Sequence, residues 1–277
     1  MRPKSGVDRW LAGHTWLVFA FLYAPILVLT VFSFNGNDNV GIWTEFSFKW
    51  YGEMFRNDAV MNALRNSLVV AFISTTVSTV LGTATAVALE RYRFRGQRTF
   101  DGLVYLPVII PDVTMAVMML LFFSQAFGII GSLGLDISFG LLTISLSHIA
   151  FNISFVAIVV RARLTQLDPS LEEAAADLYA SRWAAFRRVT LPLIAPAVAG
   201  GALLALTLSL DDVVVTSFVA GPGSTTLPVY VFGLVRRGVT PLINAVSVVM
   251  LSASMLLVAF SLIFQRDRTG GSAVETS

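Results

Sequence analysis

Apolar residues gather in this chain into six stretches of about 20 residues, separated by short polar or charged segments. They are Thr15–Phe34, Asn66–Leu89, Leu103–Phe127, Leu141–Val160, Ile194–Val219 and Pro241–Phe264. A helix of that length matches the hydrocarbon thickness of a bilayer, so the pattern predicts an all-α, polytopic membrane protein with six spanning helices. The first stretch follows Arg2, Lys4 and Arg9 much as the core of a leader peptide would. It is too long for such a core, however, and no small-x-small site follows at Ser33–Asn37, so it reads as a retained helix.

Charge orients the spans. Basic residues fall at the N-terminus (Arg2, Lys4, Arg9), in the second connection (Arg91, Arg93, Arg95, Arg98), in the fourth (Arg161, Arg163, Arg182, Arg187, Arg188) and at the C-terminus (Arg266, Arg268). Of the 19 Lys and Arg residues only Lys49, Arg56, Arg65, Arg236 and Arg237 lie on the other side. The positive-inside rule then places both termini and the long fourth connection in the cytoplasm. Composition agrees: 56% of the 277 residues are hydrophobic and 13% charged, against about a quarter charged in soluble domains. The basic residues form no clustered face for nucleic acid.

Absent motifs exclude chemistry. There is no cysteine, so no thiolate metal site or thiol nucleophile. Neither Lys4 nor Lys49 ends a P-loop, His14 and His148 are too far apart for H-E-x-x-H, and no G-x-S-x-G elbow occurs. No catalytic residue, metal site or cofactor is expected of the chain itself. Small residues recur every four positions in the second span (Ser74, Ser78, Gly82, Ala86) and the fifth (Ala197, Gly201, Ala205, Ser209), spacing that lets helices approach closely within the chain or against another subunit. The first outer loop is rich in aromatics, among them Trp43, Phe46, Phe48, Trp50, Tyr51 and Phe55, which suit headgroup anchoring or a binding platform.

The fourth connection carries two predicted short helices. Asp168 is an N-cap with Pro169 at the first helical position, and Glu172 and Glu173 occupy the favourable first turn. Ser181 caps a second helix carrying Trp183 and Phe186 on one face, which Pro192 is expected to end. Glu173-Ala174-Ala175 with Leu191-Pro192 downstream resembles the EAA loop of ABC importer permeases. The resemblance implies the type I importer permease fold, with cytoplasmic coupling helices formed by Glu172, Glu173, Ala174, Ala175, Asp177, Tyr179, Leu191 and Pro192 seated in the ATPase subunit. Tyr179 stands where the family pattern has glycine; a left-handed elbow there strains tyrosine by about 1 kcal/mol or more.

The resemblance spans nearly the whole chain. It is closest to the second permease subunit of putrescine/spermidine importers, on Trp50-Tyr51-Gly52-Glu53, Arg91-Tyr92-Arg93-Phe94-Arg95-Gly96, Ser209-Leu210-Asp211-Asp212-Val213-Val214-Val215 and Ser217–Pro228. It implies a partner permease, a dimer of ATP-binding subunits that hold ATP and Mg, and an extracytoplasmic solute-binding protein. It also implies a division into residues 1–61, a permease domain 62–264 with its coupling loop at 164–192, and a tail 265–277. A polyamine is the solute this resemblance implies; another small solute, or an ion-coupled secondary transporter using the aspartates as relays, is the competing reading. Intramembrane carboxylates are costly and mark a functional site or an internal pair. Asp112, Asp211 and Asp212 are therefore candidates either for a cation pathway or for capping broken helix ends and bonding hydroxyls such as Ser209 and Thr216. Neighbours project about 100° apart on a helix, so Asp211 and Asp212 cannot both face a pathway squarely. His148 and Asn152, four apart, share a face suited to interhelical hydrogen bonds.

Overall fold

The computed structural model describes residues 6–132, 134, 137–238 and 240–269. It is helical throughout: α1 Gly6–Phe32, α2 Lys49–Arg56, α3 Asp58–Arg91, α4 Gln97–Ile109, α5 Asp112–Ser132, α6 Leu141–Leu164, α7 Ser170–Asp177, α8 Arg182–Ala185, a π-turn Phe186–Thr190, α9 Leu191–Asp211, α10 Val214–Val219, α11 Leu227–Arg237 and α12 Pro241–Thr269. Among the described residues, five helical runs are long and apolar enough to cross a bilayer: Trp10–Phe32, α3, α5, α6 and the continuous run Arg182–Asp211. The sixth predicted span corresponds to α12, with an apolar stretch Pro241–Leu256. Arg2 and Lys4 lie outside the described residues.

Three sequence expectations need correction. The third stretch is not one helix. Pro111 supplies no N–H and forces its predecessor out of the helical region, so Ile110 is extended (ψ 132°) and α5 begins afresh at Asp112. The fifth stretch breaks likewise, with Asp212 extended (ψ 124°) between α9 and α10. Pro192, expected to end the second short helix, does not. The Leu191 amide reaches back five residues to the Phe186 carbonyl, and this widened turn accommodates the ring at the start of α9.

The chain divides into two compact units, Met1–Met61 with Val231–Ser254, and Asn62–Tyr230 with Met255–Ser277. In the first, the aromatic loop folds on itself. The Trp50 indole donates to the Asn35 carbonyl (2.8 Å), Ser33 and Tyr51 share a hydrogen bond (2.7 Å), and Phe34 stacks on Phe46 with ring centroids 5.2 Å apart. Phe46 and Phe48 remain exposed.

The second unit is built around α6. A Cβ on Gly82 of α3 would lie 2.7 Å from Val156 Cβ and 2.8 Å from the Ile153 carbonyl oxygen. From the other side, a Cβ on Gly201 of α9 would lie 3.3 Å from a Val156 methyl. Both small-residue stripes thus serve packing within the chain. Ala86, Val156, Val160, Leu164, Ile194 and Ala205 form the core around this contact. A second cluster, Val70, Ala116, Phe123, Ile144, Val215 and Val219, joins α3, α5, α6 and α10. Arg161 of α6 pairs with Glu90 (3.3 Å) and Asp101, tying α6 to the ends of α3 and α4.

The glycine contact is directly testable. Gly82→Ala should destabilise the folded subunit by about 1–3 kcal/mol through overpacking. Gly200→Ala, one residue from the α9 contact but with no atom within 4 Å of the added Cβ, should be neutral or slightly stabilising. Thermal unfolding in detergent checks the pair, and equal Tm values would overturn the close-packing account.

Candidate functional site

Two regions hold the candidate residues. The first is the connection from α6 to α9. The Asp168 carboxylate accepts the Ser170 N–H (2.9 Å), and Pro169 already has helical angles, so the predicted start of α7 is present. That hydrogen bond to the charged form holds the Asp168 carboxyl below its ordinary value. Ser181 caps α8 by accepting the Ala184 N–H (3.2 Å).

Between the two short helices the chain turns at Tyr179, which takes φ 61°, the one positive φ outside glycine among the described residues. The Ala180 N–H donates to the Ala175 carbonyl (3.0 Å) and the Tyr179 N–H to the Ala176 carbonyl (2.9 Å). This is a Schellman motif with tyrosine in the position glycine usually fills. The elbow keeps the geometry the glycine spacing implies and accepts a cost of about 1–2 kcal/mol.

The adjacent glutamates point different ways. Glu172 turns inward: its Oε1 accepts from Arg91 Nε of α3 (3.1 Å) and from the hydroxyl of buried Thr190 in the π-turn (2.7 Å). It tethers α7 to the rest of its unit, with 33% of its side chain still exposed. Glu173, Ala174 and Asp177 are exposed, as is Pro192, while Ala175 and Leu191 are half-buried. Beside them stand Leu178 (82% exposed), Tyr179 (98%) and Trp183 (68%), the last tilted against the Phe186 ring. An exposed apolar group of this kind beside carboxylates is a surface that can dock a partner. The sequence did not single out Thr190, nor Arg91 as the anchor of the loop; an arginine at the end of an apolar run reads first as a topology signal.

The second region is the break between α9 and α10. Asp212 Oδ2 accepts from the Thr216 N–H and the Thr216 hydroxyl, each at 2.7 Å, and Oδ1 accepts the Val215 N–H (3.2 Å). His148 Nε2, wholly buried, lies 3.3 Å from Asp212 Oδ2 and 3.0 Å from Thr216 Oγ1. One turn along α6, Asn152 donates to Ser209 Oγ (2.9 Å), which shares a hydrogen bond with Ser74 of α3 (2.8 Å). The expected interhelical role of His148 and Asn152 is present. Asp212 caps the restarted helix, the internal-pair alternative for this residue. Asp112 and Asp211 are exposed on the chain and make no side-chain hydrogen bond among the described residues. The three aspartates form no common cluster with a histidine or further carboxylate that could hold a metal among the described residues.

Comparison with known proteins places this arrangement. The family model for the "binding-protein-dependent transport system inner membrane component" matches residues 78–266, which include the whole connection, both helix breaks and all of α6 and α9. The putrescine transport system permease protein PotI of Escherichia coli (strain K12) is 46% identical over 238 residues, 86% of this chain and 84% of that protein. The spermidine/putrescine transport system permease protein PotC of the same strain is 40% identical over 260 residues, 94% and 95% of the two chains. Among solved structures, a chain of a bacterial ABC transporter that imports alginate shares the fold with a TM-score of 0.76 at 22% identity, covering 93% of this chain and 96% of that one. A chain of the MetNI methionine ABC transporter does so with a TM-score of 0.63 at 20% identity, covering 76% and 98%. With the family model spanning most of the chain and relatives well above 30% identity over nearly all of it, this protein belongs to the inner membrane components of binding-protein-dependent transport systems.

Proposed function

We propose that the chain forms half of the translocation pathway of an ABC importer for a polyamine such as putrescine or spermidine. The observation that carries this reading is the identity to PotI and PotC along almost the full length, including both broken helices. In this reading residues 62–264 are the permease domain, preceded by the segment 1–61 and followed by a cytoplasmic tail 265–277. It pairs with a second permease subunit and receives solute from an extracytoplasmic binding protein. A dimer of ATP-binding subunits, which alone hold ATP and Mg, drives it. The distribution of Lys and Arg supports cytoplasmic termini and a cytoplasmic fourth connection. Its exposed face, with Glu173, Ala174, Asp177 and Tyr179, is the surface that would seat in the ATPase.

A cationic amine entering a low-dielectric passage must exchange its hydration for acceptors or negative charge. Asp112 and Asp211 are exposed and carry no internal partner among the described residues, so they fit that role; Asp212, spent on Thr216 and Val215, fits a structural one.

Three outcomes test this reading. In vesicles containing the complete transporter, labelled putrescine or spermidine should accumulate only with ATP, and unrelated solutes should not; accumulation without ATP would remove the importer assignment. Asp211→Asn should lower uptake at unchanged Tm, whereas Asp212→Asn, which replaces one accepting oxygen with a donor facing backbone N–H groups, should lower Tm by the equivalent of about 1–3 kcal/mol. The reverse pattern would exchange their roles. Ala174→Trp should weaken ATPase association by about 1–3 kcal/mol through overpacking of a tight groove while the subunit still inserts, and unchanged association and uptake would remove this face from the docking surface.

A further inference from the structure

We infer that the cavity between the end of α3 and the α7–α8 elbow is a binding site for one anionic phospholipid. The cavity measures about 810 Å3, within the roughly 300–1,000 Å3 of small-ligand sites. Its lining is graded along the axis of α3. Ala84, Val87 and Ala88 form an apolar wall inside the membrane span, about 4–10 Å below Arg91 at 1.5 Å per residue. Arg91, Arg93 and Arg182 surround the other end, flanked by the rings of Tyr92 and Trp183. Along α3 the lining thus runs from apolar to basic, the polarity order of a phospholipid, while Ala176, Ala180, Ala185 and Phe186 of the connection line the facing side.

Charge within the cavity is unbalanced. Three guanidinium groups face one carboxylate, Glu172, and that carboxylate's Oε1 already accepts from Arg91 and Thr190. Arg91 spends Nε on Glu172, which leaves Arg93 and Arg182, both exposed, as the guanidinium groups open to an anion. A phosphate diester is an anion whose oxygens match the guanidinium fork. Basic pockets beside spanning helices bind anionic headgroups on these grounds. A soluble phosphate would answer the arginines but leave the alanine and valine wall facing water. An acyl chain laid along α3 covers it. The inference requires only that α3 crosses the bilayer and holds whatever the transported solute.

The test uses the whole transporter, with its ATPase and partner permease, in nanodiscs of phosphatidylcholine containing a minor fraction of phosphatidylglycerol. Native mass spectrometry reads the lipid retained after release from the disc. The unmodified complex should retain phosphatidylglycerol selectively. Combined Arg93→Gln and Arg182→Gln, both at exposed positions, should lower retention about 25-fold, at about fivefold per arginine. Arg93→Lys with Arg182→Lys should keep most of it. Ala84→Phe, also at an exposed position, fills the apolar wall and leaves every charge in place. It too should lose phosphatidylglycerol, and it carries the test should the glutamine pair fail to assemble. Equal retention in the glutamine pair, or in Ala84→Phe, overturns the inference. So does displacement of the lipid from the unmodified complex by millimolar inorganic phosphate, which would assign the cavity to soluble anions.

Discussion

The second unit depends on one contact, Val156 of α6 held between Gly82 of α3 and Gly201 of α9. In lipid no hydrophobic effect drives helices together, so close packing and hydrogen bonds must. Two glycines let the backbones of α3 and α9 approach the same valine from opposite sides. Once that distance is set, the short side chains Ser74, Ser209 and Asn152 reach one another across three helices. A larger residue at either glycine would separate the polar groups as well as the apolar ones, leaving buried hydroxyls unpaired.

The same constraint explains where the helices stop. A helix that breaks inside a membrane frees backbone donors that lipid cannot satisfy. At the α9–α10 break Asp212 supplies the acceptors, and His148 from α6 shields its charge. At the α4–α5 break proline leaves no donor at position 111, and Asp112 begins the next helix with its carboxylate at the favourable positive end of the dipole. The two breaks therefore differ in kind: one aspartate is consumed by its own backbone, and the other is left available.

Much of this was legible in the sequence. Apolar runs gave the spans, the four-residue spacing of small residues gave the close contacts, and the glycine position of the EAA pattern gave the left-handed elbow even though Tyr179 occupies it. What escaped has physical causes. Glu172 and Glu173 sit next to each other on an eight-residue helix, and hydropathy does not say which faces inward; the partner that decides it, Arg91, lies 81 positions away. The π-turn leaves no periodic trace because it spans only five residues and contains no glycine. For Asp212 the sequence left a cap on Thr216 and a place on a cation pathway both open, because the choice depends on where the helix breaks, and an unbroken apolar run does not show that.

Between Asn66 and Arg91, α3 is an uninterrupted rod of about 38 Å at 1.5 Å per residue, longer than the roughly 30 Å of hydrocarbon it crosses. Both ends are fastened. Asn66 holds the carbonyls of Gly223 and Thr225, and Arg91 holds Glu172 of α7. Such a rod works as a lever. Pivoted near Gly82, where the contact is tightest, it has unequal arms of about 24 Å and 14 Å. A small displacement at the α7 end would be enlarged nearly twofold at the far loop, and Val70 and Ser74 on the long arm would move against their neighbours on the other helices.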